Sequence, residues 1–292
     1  MKKFFSALAL LTLLAPSVKG ADWFETNTPL TQVHRYLLNK DLEAMYNALV
    51  EVWQHKQSKS IKSHINRVFL QSLEVDCGKG LSSEPLPVWL RSVTISQQSA
   101  QSPGRDTFTT SVDIDSLSKI NQIQLLKWVD KKISNDSEGY ETIKGDAVNK
   151  FSRYGIRYNL AGPLEVGLYS IQVTLESGES WNQWLIFSDQ ALKQSVRWAA
   201  KDKWRIEKNA LLNPYCPLPK LEVALYDYVD GKYTQVWGKE YESEYPSQLE
   251  AKDIEPDRYV IAVSIKQSRW QGPILFVRSQ IISKTLDVSP EE

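Results

Sequence analysis

The stretch Leu225-Tyr226-Asp227-Tyr228-Val229-Asp230-Gly231-Lys232 decides how the chain reads, because it has a counterpart one hundred residues earlier, Leu125-Leu126-Lys127-Trp128-Val129-Asp130-Lys131-Lys132. Taken alone, the earlier copy is ambiguous. Between Ser116 and Ile133, Ser116 can cap a helix, and Leu126, Val129 and Ile133 fit one helical face. The later copy resolves the ambiguity. An Asp-Gly pair between alternating segments marks a type I′ turn, which joins two antiparallel strands. Both copies are therefore expected to be strand hairpins.

The likeness continues downstream. Gly167 to Leu175 (GLYSIQVTL) matches Asp257 to Ile265 (DRYVIAVSI), ninety residues later, and Trp181 and Phe187 match Trp270 and Phe276, eighty-nine later. Three blocks in one order, with a shrinking offset, indicate a duplicated unit whose second copy has lost loop residues. Elsewhere the period is also two. Phe108, Thr110, Val112 and Ile114 share one side, as do Tyr154, Ile156, Tyr158 and Leu160, and Tyr169, Ile171, Val173 and Leu175. Such alternation belongs to antiparallel strands with one buried face. Tyr169 and Tyr259 each enter a strand after a Pro- or Gly-containing loop, the position of a tyrosine corner. The expectation is two tandem β-sandwich units of immunoglobulin-like type.

Ahead of them the period is helical. Thr28 before Pro29 reads as a cap followed by first-turn proline, and Leu30, Val33, Leu37 and Leu38 recur at helical spacing. Asp41 can cap a second helix whose Leu42, Met45, Tyr46, Leu49 and Trp53 share a face, and Ile61, Ile65, Val68 and Phe69 mark a third. The expected organisation is α+β by segments: a signal peptide over 1–20, a helical head and linker over 21–84, a first β unit over 85–210 and a second over 211–292.

Composition fits an ordinary globular chain: 292 residues, 42% hydrophobic and 24% charged, with 35 basic and 35 acidic side chains. Lys2 and Lys3 precede an apolar run from Phe4 to Leu14, followed by a cleavage region with Val18 and Gly20 before Ala21. The run is too short to span a bilayer and reads as an export signal cut after Gly20. Removing its three lysines from 35 leaves 32 basic against 35 acidic side chains, a near-balance that argues against a nucleic-acid binder. Cys77 and Cys216 are the two cysteines, and an oxidising compartment favours pairing them over two separate buried thiols. The bridge would close a loop of about 140 residues, nominally about 5 kcal/mol in the chain-entropy account.

Trp23-Phe24, Thr28-Pro29-Leu30 and the segment from Leu42 to Trp53 resemble an uncharacterised family of secreted proteins from vibrio-like marine bacteria. The resemblance implies a Gram-negative periplasm. That family has no assigned activity, so it implies no site residue.

Chemistry-bearing motifs are sparse. The chain has no Gly-x-Ser-x-Gly elbow, phosphate loop, dinucleotide fingerprint or His-Glu-x-x-His helix, and His34, His55 and His64 all lie in the head. Ser116-Leu117-Ser118-Lys119 has Ser-x-x-Lys spacing without a companion Lys-Thr-Gly, and reads as a turn. Asp136, Glu138, Glu141, Glu242 and Glu244 read as solvated loop and hairpin acids rather than a glycan-cleaving pair. No metal or cofactor is expected. Trp181 and Trp270 read as core, while Trp184 has no counterpart and is the candidate for an exposed sugar platform. From Ser195 to Glu207, Val196, Trp198, Trp204 and Ile206 alternate with Arg197, Lys201, Lys203 and Arg205, giving one strand with a positive outer stripe. Its ordinary reading is an edge strand guarded by charge against aggregation, and its functional reading a contact for an anionic envelope polymer or an acidic partner. The reading is an exported, non-enzymatic envelope protein that contacts a protein or envelope component. The alternative is a glycan-binding module or glycan-acting hydrolase of the cell wall.

Overall fold

Each helix of the head starts where the chain offers its own cap. A computed structural model describes residues 28–144, 151–251 and 254–288; the export segment and Trp23-Phe24 lie outside them. α1 (Pro29–Leu38) begins in a reciprocal capping box between Thr28 and Thr31, with Pro29 in the first turn. α2 (Leu42–Gln54) is capped by the Asp41 carboxylate, which accepts from the Ala44 amide, and α3 (Lys59–Asp76) by Ser58. Their apolar faces meet in one cluster that includes Val33, Met45, Leu49, Ile65 and Phe69. α3 ends at Cys77 in the left-handed conformation, followed by Gly78 with φ 83°. At Gly78 a Cβ would lie 2.1 Å from the Trp270 carbonyl oxygen, so only glycine lets these backbones approach.

That close approach ties head to body. The Trp270 amide donates to Cys77 O at 2.9 Å, the Gly272 amide to Gly78 O at 3.0 Å, and Asn213 Nδ2 to Leu73 O at 2.8 Å. Cys77 and Cys216 form a disulfide across the same joint, 139 residues apart in sequence.

Among the described residues the β region supplies fourteen strands. In chain order they are β1 (Leu90–Ser102), β2 (Arg105–Ser116), β3 (Ile120–Lys127), β4 (Lys131–Lys132), β5 (Ser137–Lys144), β6 (Phe151–Leu160) and β7 (Gly167–Leu175). They continue as β8 (Ser180–Phe187), β9 (Gln194–Ala200), β10 (Lys203–Lys208), β11 (Lys220–Val229), β12 (Lys232–Tyr241), β13 (Arg258–Gln271) and β14 (Ile274–Asp287). Eight of them form one sheet in the order β12-β11-β13-β14-β1-β2-β6-β5; β4-β3-β7-β8 form a second, and β9 and β10 a third. The chain is thus α+β, with the three helices gathered at the start.

The large sheet has one buried face, divided between two cores. Val93, Ile95, Val112, Ile114 and Phe276 face Tyr169, Ile171, Val173, Leu185 and Phe187 of the four-stranded sheet. Farther along, Leu221, Val223, Leu225, Ile261, Val263 and Ile282 face Val196 and Trp204 of the β9–β10 pair. Trp204 is only 1% exposed, and truncating such an indole costs about 3–5 kcal/mol. The boundary at 210/211 therefore runs through shared structure. The large sheet takes β1, β2, β5 and β6 from one side of it and β11 to β14 from the other, joined by a parallel β1–β14 pairing.

Between the two cores lies a polar seam built by glutamines. Gln271 Oε1 accepts from the Ile186 amide at 3.0 Å while its Nε2 donates to Ile186 O at 2.8 Å. Gln280 does the same for Val196, at 2.9 and 3.0 Å. Gln267 accepts from the Lys193 amide and donates to Gln194 O. Each side-chain amide stands in for a ladder partner, so the chain between β8 and β9 crosses the sheet with its backbone satisfied. From α2, the buried Tyr46 hydroxyl lies 2.8 Å from Trp184 O and 3.1 Å from Gln271 Oε1. Burial pushes that phenol above its ordinary pKa.

The registers at the first two matching blocks are alike. Leu125 faces Ile171 across β3–β7, and Leu225 faces Ile261 across β11–β13. Both blocks at 125 and 225 are hairpins, and Asp230 and Gly231 both have positive φ, as a type I′ turn requires. The Tyr169 hydroxyl donates to Glu165 O and the Tyr259 hydroxyl to Glu255 O, each four residues upstream. The third match does not hold. Trp181 stands opposite Val173 on β8, and the place opposite Val263 is taken by Ile282; Trp270 lies beyond the matched stretch on the longer β13.

The same registers explain why a single head is docked. Leu168 and Ile186, a cross-strand pair, bury themselves in the head's cluster along with Trp184 and Trp128. The equivalent pair on β13 and β14 is Arg258 and Asp287, an exposed ion pair at 3.6 Å, and Thr285 stands where Trp184 would. Moving the later pair into the earlier site, as Leu168→Arg with Ile186→Asp, should cost about 3 kcal/mol or more. Limited proteolysis should then cut first within Pro29–Asp76; an unchanged cleavage order would show that these two side chains do not hold the head.

Candidate functional site

Trp184 is not an open platform. It sits half-buried where β8 meets the head, edge-on to Trp128 with ring centroids 5.3 Å apart, and Trp128 Nε1 donates to Gln54 O at the end of α2. Trp184 faces the head, and among the described residues the second half of the large sheet carries no such head.

The basic stretch is a hairpin rather than one strand. β9 and β10 turn at Lys201-Asp202, so Arg197 and Arg205 face each other as a cross-strand pair. Val196, Trp198, Trp204 and Ile206 still point to the core side. Parity survives because the two-residue turn and a bulge beside Trp204 restore the alternation. Glu207 bridges both arginines at 2.9 Å. Lys201 and Lys203 stand exposed at the tip, without an ion pair among the described residues.

Two surfaces escaped the sequence reading. The first is the end of the β11–β12 hairpin, where every residue from Lys232 to Val236 is exposed, on both faces of the strand. Tyr228 (61% exposed) and Tyr233 (63%) pair across it with centroids 4.9 Å apart, flanked by exposed Val229 and Val236. A bulge at Val236 interrupts the edge ladder. The second is an open groove of about 430 Å³ between β3–β4 and β5–β6, lined by Tyr140, Tyr154, Tyr158 and amides such as Gln122 and Gln124. Tyr140 lies against Gly155, where a Cβ would collide with its ring, and its hydroxyl bonds to Asp113.

Two further missed residues lie in the seam. Arg269 is 7% exposed, with its Nε buried and unpartnered, and its guanidinium centres 4.4 Å from the Phe276 ring and 5.7 Å from Phe69. Arg278 comes from the paired strand and also has a buried, unpartnered Nη1. Burial, and then each arginine's mutual repulsion in the case of Arg269, pulls these guanidinium pKa values below their ordinary range. Cation–π contacts are worth about 2 kcal/mol when desolvated, whereas an unpaired buried ion costs several. The signal was legible: odd positions of β13 point inward from Tyr259 to Gln271, and Arg269 is one of them.

Other candidates have plain structural roles. The Ser116 hydroxyl is buried, 2.7 Å from Ser118 O and 3.1 Å from Trp89 O as alternative acceptors, and it accepts from the Ser118 amide, which engages it in a turn. Among the described residues no group of three His, Cys, Asp or Glu is placed to hold a metal ion, and no helix is long and apolar enough to cross a membrane. His34 and His64 do meet, with their Nε2 atoms 2.9 Å apart between α1 and α3. Burial, and secondarily His64, holds the His34 pKa below its usual value. The neutral ring is thus the folded form, and the stability it contributes is present above about pH 6.5 and lost as pH falls through the depressed folded value. Helical signal from the head should therefore decline on mild acidification in wild type and decline less in His34→Gln; identical pH profiles would remove the pair from the head's stability.

Comparison with known proteins adds one match. No curated protein matches the chain. Residues 23–287 match the family described as Protein of unknown function (DUF2861), which covers every described element from α1 to β14. The chain belongs to that family.

Proposed function

We propose that this protein is exported to the periplasm and works in the cell envelope by binding a partner protein, not by catalysis. The scaffold in this reading is a helical head on two immunoglobulin-like sandwich units descended from one duplicated unit. The recurring strand order, the two upstream-bonded tyrosines and the shared hairpins support the duplication. The disulfide at the head–body joint suits an oxidising compartment, as does the signal-like start.

The β11–β12 arm carries the reading. Its counterpart, the β3–β4 hairpin, buries Trp128 against the head. The arm instead leaves Tyr228, Val229, Tyr233 and Val236 in water. An exposed aromatic and aliphatic cluster of this kind marks an interaction surface, and tyrosine is a favoured anchor in such contacts. The basic β9–β10 tip, with Arg197, Lys201, Lys203 and Arg205, is a second contact for an anionic envelope polymer.

A photo-crosslinking residue at Tyr233 should capture a discrete partner in the periplasmic fraction. The adduct should vanish on Tyr228→Ser with Val236→Ser, changes that shift stability by less than about 0.5 kcal/mol at such exposed positions. No adduct at 233, or the same adduct from the exposed turn at Gly104, would overturn the reading.

The groove supports a second reading, glycan binding, because tyrosines interleaved with amides suit neutral sugars. Soluble peptidoglycan fragments should then perturb Tyr140 and Gln124, with binding weakened about tenfold or more by Gln124→Ala. Absence of any perturbation there ends the glycan reading.

A further inference from the structure

Beside the disulfide, the seam opens into a cavity of about 50 Å³ whose wall holds three cations, Lys193, Arg269 and Arg278, and no carboxylate among the described residues. Lys193 already has Glu74 at 3.1 Å. Among the described residues the two arginines do not have such a partner. Each keeps a buried N–H that meets no acceptor, and Arg269 Nη1 reaches only Trp270 O at 3.5 Å. Asp189 influences Arg278, but its Oδ1 is engaged by Asn66 Nδ2 at 2.5 Å.

Two like charges on adjacent strands, both short of acceptors, are costly to keep buried unless an anion completes them. Guanidinium groups present planar forks that match a carboxylate in shape. The volume admits about three or four water-sized groups, the size of a carboxylate and its first carbon. Away from the cations the wall is mixed: Leu73, Leu212, Pro217 and Pro219 give it an apolar side next to Cys216, and Gln190, Asn213, Gln267 and Ser268 a polar one. The loop that supplies several of these also leaves Leu211, Tyr215 and Leu218 exposed. An anionic head with an apolar tail fits this division, and a bare, strongly hydrated phosphate does not.

We propose that the Arg269–Arg278 cavity is a binding site for a carboxylate carried on an apolar chain. The head group is held by the two guanidinium forks. The chain leaves along the 211–218 loop. This site is separate from the β11–β12 arm, and its test does not depend on any partner of the arm.

The disulfide-intact mature protein is titrated with acetate, hexanoate, hexanamide, a leucine-ended tripeptide acid and its amide, and inorganic phosphate, at matched ionic strength. Binding is read by calorimetry and by the rise in melting temperature that a native-state ligand produces. Saturable binding of hexanoate or the tripeptide acid, tighter than acetate and absent for both amides, is expected. The tighter of the two acids tells a free apolar acid from a peptide C-terminus. Arg278→Gln, at the less buried position, should weaken that binding about 10- to 100-fold. Equal binding of acid and amide, binding of phosphate alone, no saturable binding by the wild-type protein, or unchanged affinity in a folded Arg278→Gln would each overturn the proposal. The wild-type acid–amide comparison decides the matter even if the variant does not fold.

Discussion

The strict alternation of β13 sets the plan of the molecule. Over fourteen residues its odd side chains enter one interior, and their character changes along the strand. Tyr259, Ile261, Val263 and Ile265 build one core, Gln267, Arg269 and Gln271 build the seam, and β14 then returns with Ile274 and Phe276 into the other core. A strand cannot turn one side chain away without shifting every neighbour to the wrong face. The polar residues of the seam must therefore be satisfied where they stand. The three glutamines achieve this by hydrogen-bonding the crossing backbone, and Arg269 leans on the Phe69 and Phe276 rings.

The joint at Cys77 depends on the same strand. The backbone of Trp270 and Gly272 holds the end of α3, and Gly78 permits the approach that makes those bonds. Head, disulfide, seam and cavity thus share a small volume. A change in any one reaches the others through packed contacts, since a close-packed interior shifts as a unit.

Two groups of strands with like registers, β3-β7-β8 and β11-β13-β14, stand in different surroundings. The earlier turns Leu168, Ile186, Trp184 and Trp128 toward the helices, and the later carries Arg258, Asp287, Thr285 and Tyr228 in the corresponding places. Those replacements convert a dry docking face into a solvated one. The later hairpin lengthens instead: β12 has ten residues where β4 has two. The outcome is an arm with both faces in water.

Local chemistry was legible in the amino acids alone. Helix caps at Thr28 and Asp41, the Asp230-Gly231 turn and the period-two runs each act over a few residues, so they are written where they act. The two hairpins at 125 and 225 were legible for the same reason, and so was the Cys77–Cys216 pairing, since the chain has two cysteines. Which sheet a strand joins was not legible. Nothing within β1 or β14 announces their parallel pairing, which depends on side chains brought together from opposite ends of the β region. The burial of Trp184, the hairpin hidden in the basic stretch and the meeting of Arg269 with Arg278 likewise needed the assembled molecule. An exposed indole and a docked one, or a paired guanidinium and an unpaired one, have the same local sequence, and what separates them is the partner that folding brings across space.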